Sequence, residues 1–180
     1  EYCRNQGWFF EVKGRPSISE KKIRAVINWE RLNQGRTVPM IECINILKYM
    51  RIKDSKKLEV VDADLTMQYQ DLKNMFPDLP EGRWYDAFTM LSVKEISYIR
   101  AMLRRGEKIT KEPRIRLSTI HAAKGGEATN VVLLTDITAR VYKNYQRNPD
   151  DENRVFYVGI TRTKENLYLI EPKTTRCYQV

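Results

Sequence analysis

The chain has 180 residues, the length of one domain or of one domain carrying an insertion. With 42% hydrophobic and 31% charged residues it can bury a core, which excludes wholesale disorder, and no apolar run approaches the roughly 20 residues of a membrane span. Lys and Arg number 32 against 23 Asp and Glu, a net charge of +9 that favours a polyanionic partner.

Cys3, Cys43 and Cys177 are odd in number and far apart, so neither a disulfide framework nor a CxxC metal site is indicated. With a single His, a zinc or di-iron centre is excluded as well, and the cysteines read as small, inert hydrophobes. Residues 1–10 (EYCRNQGWFF) lack the apolar core and cleavage site of a secretory signal. The expected setting is a reducing cytoplasm.

In chain order, residues 8–12 (WFFEV) read as a short strand ending at Gly14 and Pro16. Ser17 and Glu20 have capping-box spacing, and residues 19–33 read as a helix stopped by Gly35. A strand this near the first residue suggests that the chain starts in the middle of a domain. From about 35 to 112 the period is helical throughout, with Met40, Cys43, Ile44, Leu47 and Met50 on one buried face. A further helix is expected to hold Trp84, Phe88 and Leu91. Ser92 and Glu95 form a second capping box before a helix burying Ile96, Ile99 and Leu103 and ending at Gly106. Trp8, Trp29 and Trp84 are expected core anchors.

After Pro113 the pattern changes. Residues 115–120 (IRLSTI) read as a strand, and 130–135 (NVVLLT) as a strand buried on both faces. A polar stretch, 139–151, precedes a helix from Glu152 to about Thr163 and a closing strand at 166–170 (NLYLI). The order implies an α/β sheet domain interrupted by a mostly helical insertion.

Two motifs carry chemistry. The first, 118–127 (STIHAAKGGE), follows a strand, and the carboxyl ends of strands are where open α/β sheets hold ligands. Gly125 and Gly126 permit close backbone approach to phosphate, Lys124 supplies a positive charge, His121 a donor or acceptor, and Glu127 a carboxylate suited to a ribose hydroxyl. The same residues also fit a glycine-bearing turn with solvated charges. The second motif is 152–162 (ENRVFYVGITR). On a helix, Arg154, Val158 and Arg162 would share a stripe, with Arg162 near its end, where a planar cation can reach a triphosphate held mainly by another domain. Taken singly, Arg162 also fits a surface ion pair.

T-x-H-x-x-K-G-x-E followed about 35 residues later by Y-V-G-x-T-R resembles motifs V and VI of the UvrD/Rep/PcrA-type superfamily 1 DNA helicases. The resemblance is dense over 115–170 and fainter over 8–32. It implies a RecA-like parallel-sheet domain, 2A, formed by residues 1–34 and 113–180, with residues 35–112 standing where the family inserts domain 2B, short for that family. It implies that Arg162 is the arginine finger reaching the γ-phosphate, with Arg154 and Tyr157 supporting its helix. By the same resemblance Glu127 meets the nucleotide ribose, the Gly125–Gly126 backbone runs beside the nucleotide, and Thr119, His121 and Lys124 face single-stranded DNA.

No G-x-x-x-x-G-K-[ST] occurs in the chain, and the dipeptide Gly-Lys is absent. The stretch 131–136 (VVLLTD) imitates a Walker B strand but reads as structural without that partner loop. The resemblance therefore implies that ATP and Mg²⁺ are held largely by a separate motor domain, 1A, of the same polypeptide. The chain would then be a C-terminal piece of a longer cytoplasmic, nucleoid-associated helicase of bacterial or phage type, with no ATPase of its own. Its implied partners are single-stranded DNA, single-strand/duplex junctions and domain 1A, and no membrane. The alternative is a non-catalytic, basic nucleic-acid-binding or partner-docking module with a helicase-like fold. Two basic features remain beside the motifs. Tyr142, Lys143, Tyr145 and Arg147 interleave rings and charges that suit stacking along single-stranded bases but read first as a solvated loop. Arg100, Arg104, Arg105 and Lys108 make a stripe that suits either duplex phosphates or a helix C-terminal dipole.

Overall fold

The computed structural model describes residues 1–52, 65–107 and 112–179. Two compact units result, Glu1–Arg116 and Leu117–Val180. Among the described residues no helix is long and apolar enough to cross a membrane.

The first unit is built on α2 (Glu20–Asn33), α3 (Met40–Leu47) and α6 (Val93–Arg105), with shorter helices α1 (Tyr2–Asn5), α4 (Tyr69–Met75) and α5 (Trp84–Ala87). A hairpin of β1 (Phe10–Val12) and β2 (Arg15–Pro16) pairs Val12 with Arg15, and its two-residue turn, Lys13 and Gly14, takes positive φ at both positions (51° and 75°), the geometry that matches strand twist. On the other side of β1 lies β5 (Ile115–Leu117). A second small antiparallel pair joins β3 (Val38–Pro39) to β4 (Thr66–Met67). The 35–112 region is thus not helical throughout: β-branched Val38 and Thr66 flank its first long helix in a two-strand clamp. The part of the helical expectation over 53–64 and 108–111, including Lys108, lies outside the described residues.

One core runs from Phe9 to Met102, centred on Trp29, Phe88, Ile23, Leu47 and Ile99. It draws on residues from both 1–34 and 35–112. Trp29 is fully enclosed, its indole N–H donating to the Gly82 carbonyl at 3.0 Å. Trp84 is buried too, while Trp8 is half-buried under the Arg105 guanidinium. Met40, Cys43, Leu47 and Met50 bury the predicted face, and burial pushes the Cys43 thiol up to about 12, with Glu42 adding to it, so no thiolate forms there at neutral pH.

The two capping boxes diverge. Ser92 and Glu95 form theirs, and α6 ends at Gly106 in the left-handed region. Ser17 caps nothing: its Oγ accepts the Phe10 amide and donates to the Tyr98 oxygen, whose own proton goes to the Trp8 carbonyl. Ser19 is the N-cap residue of α2 instead. On α6 the deepest residues are Tyr98, Ile99 and Met102, whereas Leu103 is 38% exposed, one position off the predicted stripe.

The second unit consists of a 3-10 turn (His121–Ala123), β6 (Ala128–Leu134), α7 (Ala139–Arg147), α8 (Pro149–Ile160) and β7 (Thr163–Ile170). β6 and β7 run parallel, Val132 beside Tyr168 and Leu134 beside Ile170. The chain is therefore α/β, with mixed helices and small sheets. β6 is not buried on both faces. Leu133 points under α8 and is 7% exposed, while its neighbours Val132 and Leu134 are 62% and 66% exposed on the opposite face. The polar stretch 139–151 is no loop: Thr138 accepts the Val141 amide as N-cap, and α7 follows.

Candidate nucleotide-facing edge

The loop before β6 is closed by its own hydrogen bonds. Thr119 Oγ1 accepts the Ala122 amide (3.2 Å), the Ala123 amide reaches the carbonyls of Thr119 and Ile120 (both 3.1 Å), and the Gly126 amide returns to Ala123 (3.0 Å). Gly125 sits at φ +83°, where an L side chain is strained although space is open around it. The Thr119 hydroxyl oxygen thereby closes the turn, and His121, Lys124 and Glu127 stand exposed on its rim.

α8 begins as helix physics requires, with Pro149 at the first position and Asp150, Asp151 and Glu152 against the positive end of the dipole. Its inward face is Phe156 and Gly159. A Cβ at Gly159 would lie 3.2 Å from a Leu133 methyl and 3.4 Å from the Ile120 side chain, so this glycine lets α8 settle on β6 and on the base of the loop. Tyr157 (67% exposed) and Arg154 face outward.

α8 stops at Ile160, and Arg162 lies just beyond it, not on a continuing helical stripe with Arg154 and Val158 as the spacing predicts. Its guanidinium folds back instead. Nε donates to the Val158 carbonyl (3.0 Å), Nη2 to Thr161 Oγ1 (3.1 Å) and Nη1 to the Gly126 carbonyl (3.3 Å). A cation on the last carbonyls of a helix is where the dipole favours it. The Arg162 carbonyl in turn accepts the Ala128 amide (2.9 Å), because β6 and β7 start in register, Ala128 beside Thr163.

Residues 36 apart in sequence are thus brought to one edge: the Gly125–Gly126 turn, Glu127, Arg162 and Lys164, whose Nζ lies 3.1 Å from Glu127 Oε2. The loop leaves the carboxyl end of β5 and runs directly into β6, so that edge lies at the amino ends of β6 and β7. Lys164 escaped sequence reasoning; its signal was an alternating cation two residues after Arg162 at a strand start. The Glu127–Lys164 pair is more than half exposed and worth little by itself. Chemically the edge offers cations for phosphate, a carboxylate for a hydroxyl, and a backbone that a ligand can approach. Among the described residues no group of three or more His, Cys, Asp or Glu side chains is placed to hold a metal ion.

Two features near the edge are structural. Asp136, last residue of the Walker B-like stretch, accepts the amides of Lys173 (2.9 Å) and Thr174 (3.0 Å) and the Thr174 hydroxyl (2.8 Å). These donors, the Lys173 amide first, hold its carboxyl below the usual carboxylate range. Tyr145 lies tilted against Tyr178 (5.2 Å between centroids), which in turn stacks on Phe156 (3.9 Å), so this ring of the 142–147 interleave packs against its own unit.

A sequence model described as the UvrD-like helicase C-terminal domain matches residues 21–174. No curated protein and no solved structure matches the chain at a significant level.

Proposed function

The chain belongs to the family of UvrD-like helicase C-terminal domains, and from that premise we propose that it is the second RecA-like motor domain, 2A, of an ATP-dependent DNA helicase or translocase. In this reading residues 1–34 and 113–180 form the sheet domain and residues 35–112 the insertion. ATP and Mg²⁺ bind chiefly on a first motor domain, 1A, and the working compartment is the cytoplasm. Glu127 takes a ribose hydroxyl, the Gly125–Gly126 backbone lies along the nucleotide, and Arg162 swings from its helix-end carbonyls to the γ-phosphate. ATP supplies the phosphoryl group whose transfer to water drives translocation, and Arg162 stabilises the charge that develops on it. Arg154 and Tyr157 support the α8 end, and Thr119, His121 and Lys124 border the path of single-stranded DNA leading to a junction.

The observation that carries this reading is the 3.3 Å contact between Arg162 Nη1 and the Gly126 carbonyl, which joins the two motifs at one edge. The three carbonyl and hydroxyl oxygens that Arg162 already engages favour a second reading, a clasp that holds the loop to α8 in a non-catalytic nucleic-acid-binding or docking module.

Arg162→Ala in the full-length protein separates the two. A finger predicts a loss of about 10³–10⁵ in DNA-stimulated ATP turnover, with DNA affinity and melting temperature nearly unchanged. A clasp predicts a lowered melting temperature with turnover intact, and that result overturns the proposal.

A further inference from the structure

The edge that joins the two motifs pairs its charges selectively. Glu127 directly follows the Gly126 carbonyl that receives Arg162 Nη1 at 3.3 Å, yet its carboxylate is taken by Lys164, with Nζ 3.1 Å from Oε2. Arg162 itself rests on uncharged oxygens, the Val158 and Gly126 carbonyls and the Thr161 hydroxyl. Among the described residues it takes part in no ion pair. Side-chain chemistry alone favours the opposite choice. A guanidinium offers a planar fork that meets a carboxylate in two parallel hydrogen bonds, whereas an ammonium is a point charge.

Strand register gives the carboxylate to Lys164, which lies beyond the last residue of either motif. Ala128 stands beside Thr163 and its amide donates to the Arg162 carbonyl at 2.9 Å, so Glu127 and Lys164 flank the first paired position. The register then slips, β6 advancing from Ala128 to Asn130 while β7 advances from Thr163 to Asn166. Asn166 Nδ2 donates to Asn130 Oδ1 at 2.9 Å and fixes the pairing beyond the slip. Lys164 stands within this irregular stretch, and such irregularities re-aim a side chain out of plain strand alternation.

We propose that Lys164 sequesters the Glu127 carboxylate and so keeps it off Arg162, leaving the guanidinium on neutral oxygens that a triphosphate can displace. This role rests on the reading of Arg162 as the arginine finger. Charge-assisted hydrogen bonds are about twice as strong as neutral ones. A guanidinium locked on Glu127 would therefore pass to a γ-phosphate less readily than one resting on carbonyls. Lys164 acts through Glu127 and touches no nucleotide, which makes it a positioning residue. Its pair with Glu127 is more than half exposed and adds little to stability. Its effect lies in the partner it denies to Arg162.

The test is DNA-stimulated ATP turnover of the full-length protein at saturating nucleotide and DNA, with the melting temperature measured alongside. K164M keeps the apolar stem and removes the charge. It is expected to lower kcat about three- to tenfold with the melting temperature nearly unchanged, because the freed Glu127 now pairs with Arg162. K164M/E127Q returns kcat to within about twofold of E127Q alone, since a neutral amide does not hold the guanidinium. K164M/E165Q, which removes the adjacent exposed carboxylate instead, brings no recovery, and K164R keeps most of the turnover. A kcat in K164M within about twofold of wild type, or a loss that persists in K164M/E127Q, overturns this role while R162A still collapses turnover. Intact turnover in R162A overturns the finger itself and the role of Lys164 with it.

Discussion

The two units of this chain solve opposite problems. Residues 1–116 enclose a continuous aromatic and aliphatic core from Phe9 to Met102. In residues 117–179 the buried apolar side chains, among the described residues, are Leu133 and Phe156. Yet the candidate chemistry, Glu127 and Arg162, belongs to the second. A parallel strand pair is ordinarily covered on both faces. Here α8 covers one, through Gly159 and Phe156, and the other carries Val132, Leu134, Tyr168 and Ile170 in the open. The first unit spends its sequence on burial and the second on presentation, and the second joins a small apolar contact of Leu133, Phe156 and Tyr178 to backbone pairing and polar staples.

That contrast is broken most directly in the first unit. Trp29→Ala removes a fully enclosed indole with edge-on contacts to Tyr69 and Phe88 and its hydrogen bond to Gly82. The expected cost is about 3–5 kcal/mol, read from urea unfolding followed by far-UV circular dichroism. A cost below about 1 kcal/mol would mean that the core of residues 9–102 is not what holds the unit together.

How much of this was legible beforehand follows the same divide. Periodicity located α2, α3 and α6 closely because their apolar faces meet a core, and burial is what period 3.6 encodes. The Ser92–Glu95 box was readable since its two partners lie three residues apart. The Ser17–Glu20 spacing misled because Ser17 found a tertiary partner, Tyr98, 81 residues away, a contact that no local rule contains. Residues 130–135 misled for a related reason: an apolar run looks the same whether a sheet is covered on one face or on two. At the candidate site, residue types and the joint edge followed from the motifs, but the fold-back of Arg162 and the partner Lys164 did not. Both depend on where α8 stops and β7 starts, and helix ends are the least readable part of a sequence.

Substitution on the open face of β6 sharpens the comparison at intermediate scale. Val132→Thr and Leu134→Ser are expected to change stability by no more than about 0.5 kcal/mol each in the isolated chain, since they remove apolar surface that is already in water and Thr keeps strand propensity. Leu133→Ala, one residue away and under α8, is expected to cost about 2–3 kcal/mol. Chemical denaturation of the three variants checks this directly. Equal costs across them would mean that both faces of the strand pair are covered.

The smallest effect concerns the polar staple at the end of β6 in the second unit. Asp136 is fully solvent-facing, and its carboxylate receives two amides and a hydroxyl from Lys173 and Thr174. Because its folded value lies below the ordinary 3.8, the contribution is fully present above the unfolded carboxylate range and is lost as pH falls through the depressed value. The Asp136 carboxyl should therefore titrate below 3.8 by NMR, and the Lys173 and Thr174 amides should lose hydrogen-exchange protection in that same acid window. Asp136→Asn, which keeps one acceptor and no charge, should release those amides already at neutral pH while the Trp29 indole stays protected. Titration at or above the ordinary value would mean that the staple is a neutral contact, and that the turn at 173–174 is held by the Thr135 and Ile137 backbone bonds to Tyr178 and Arg176 instead.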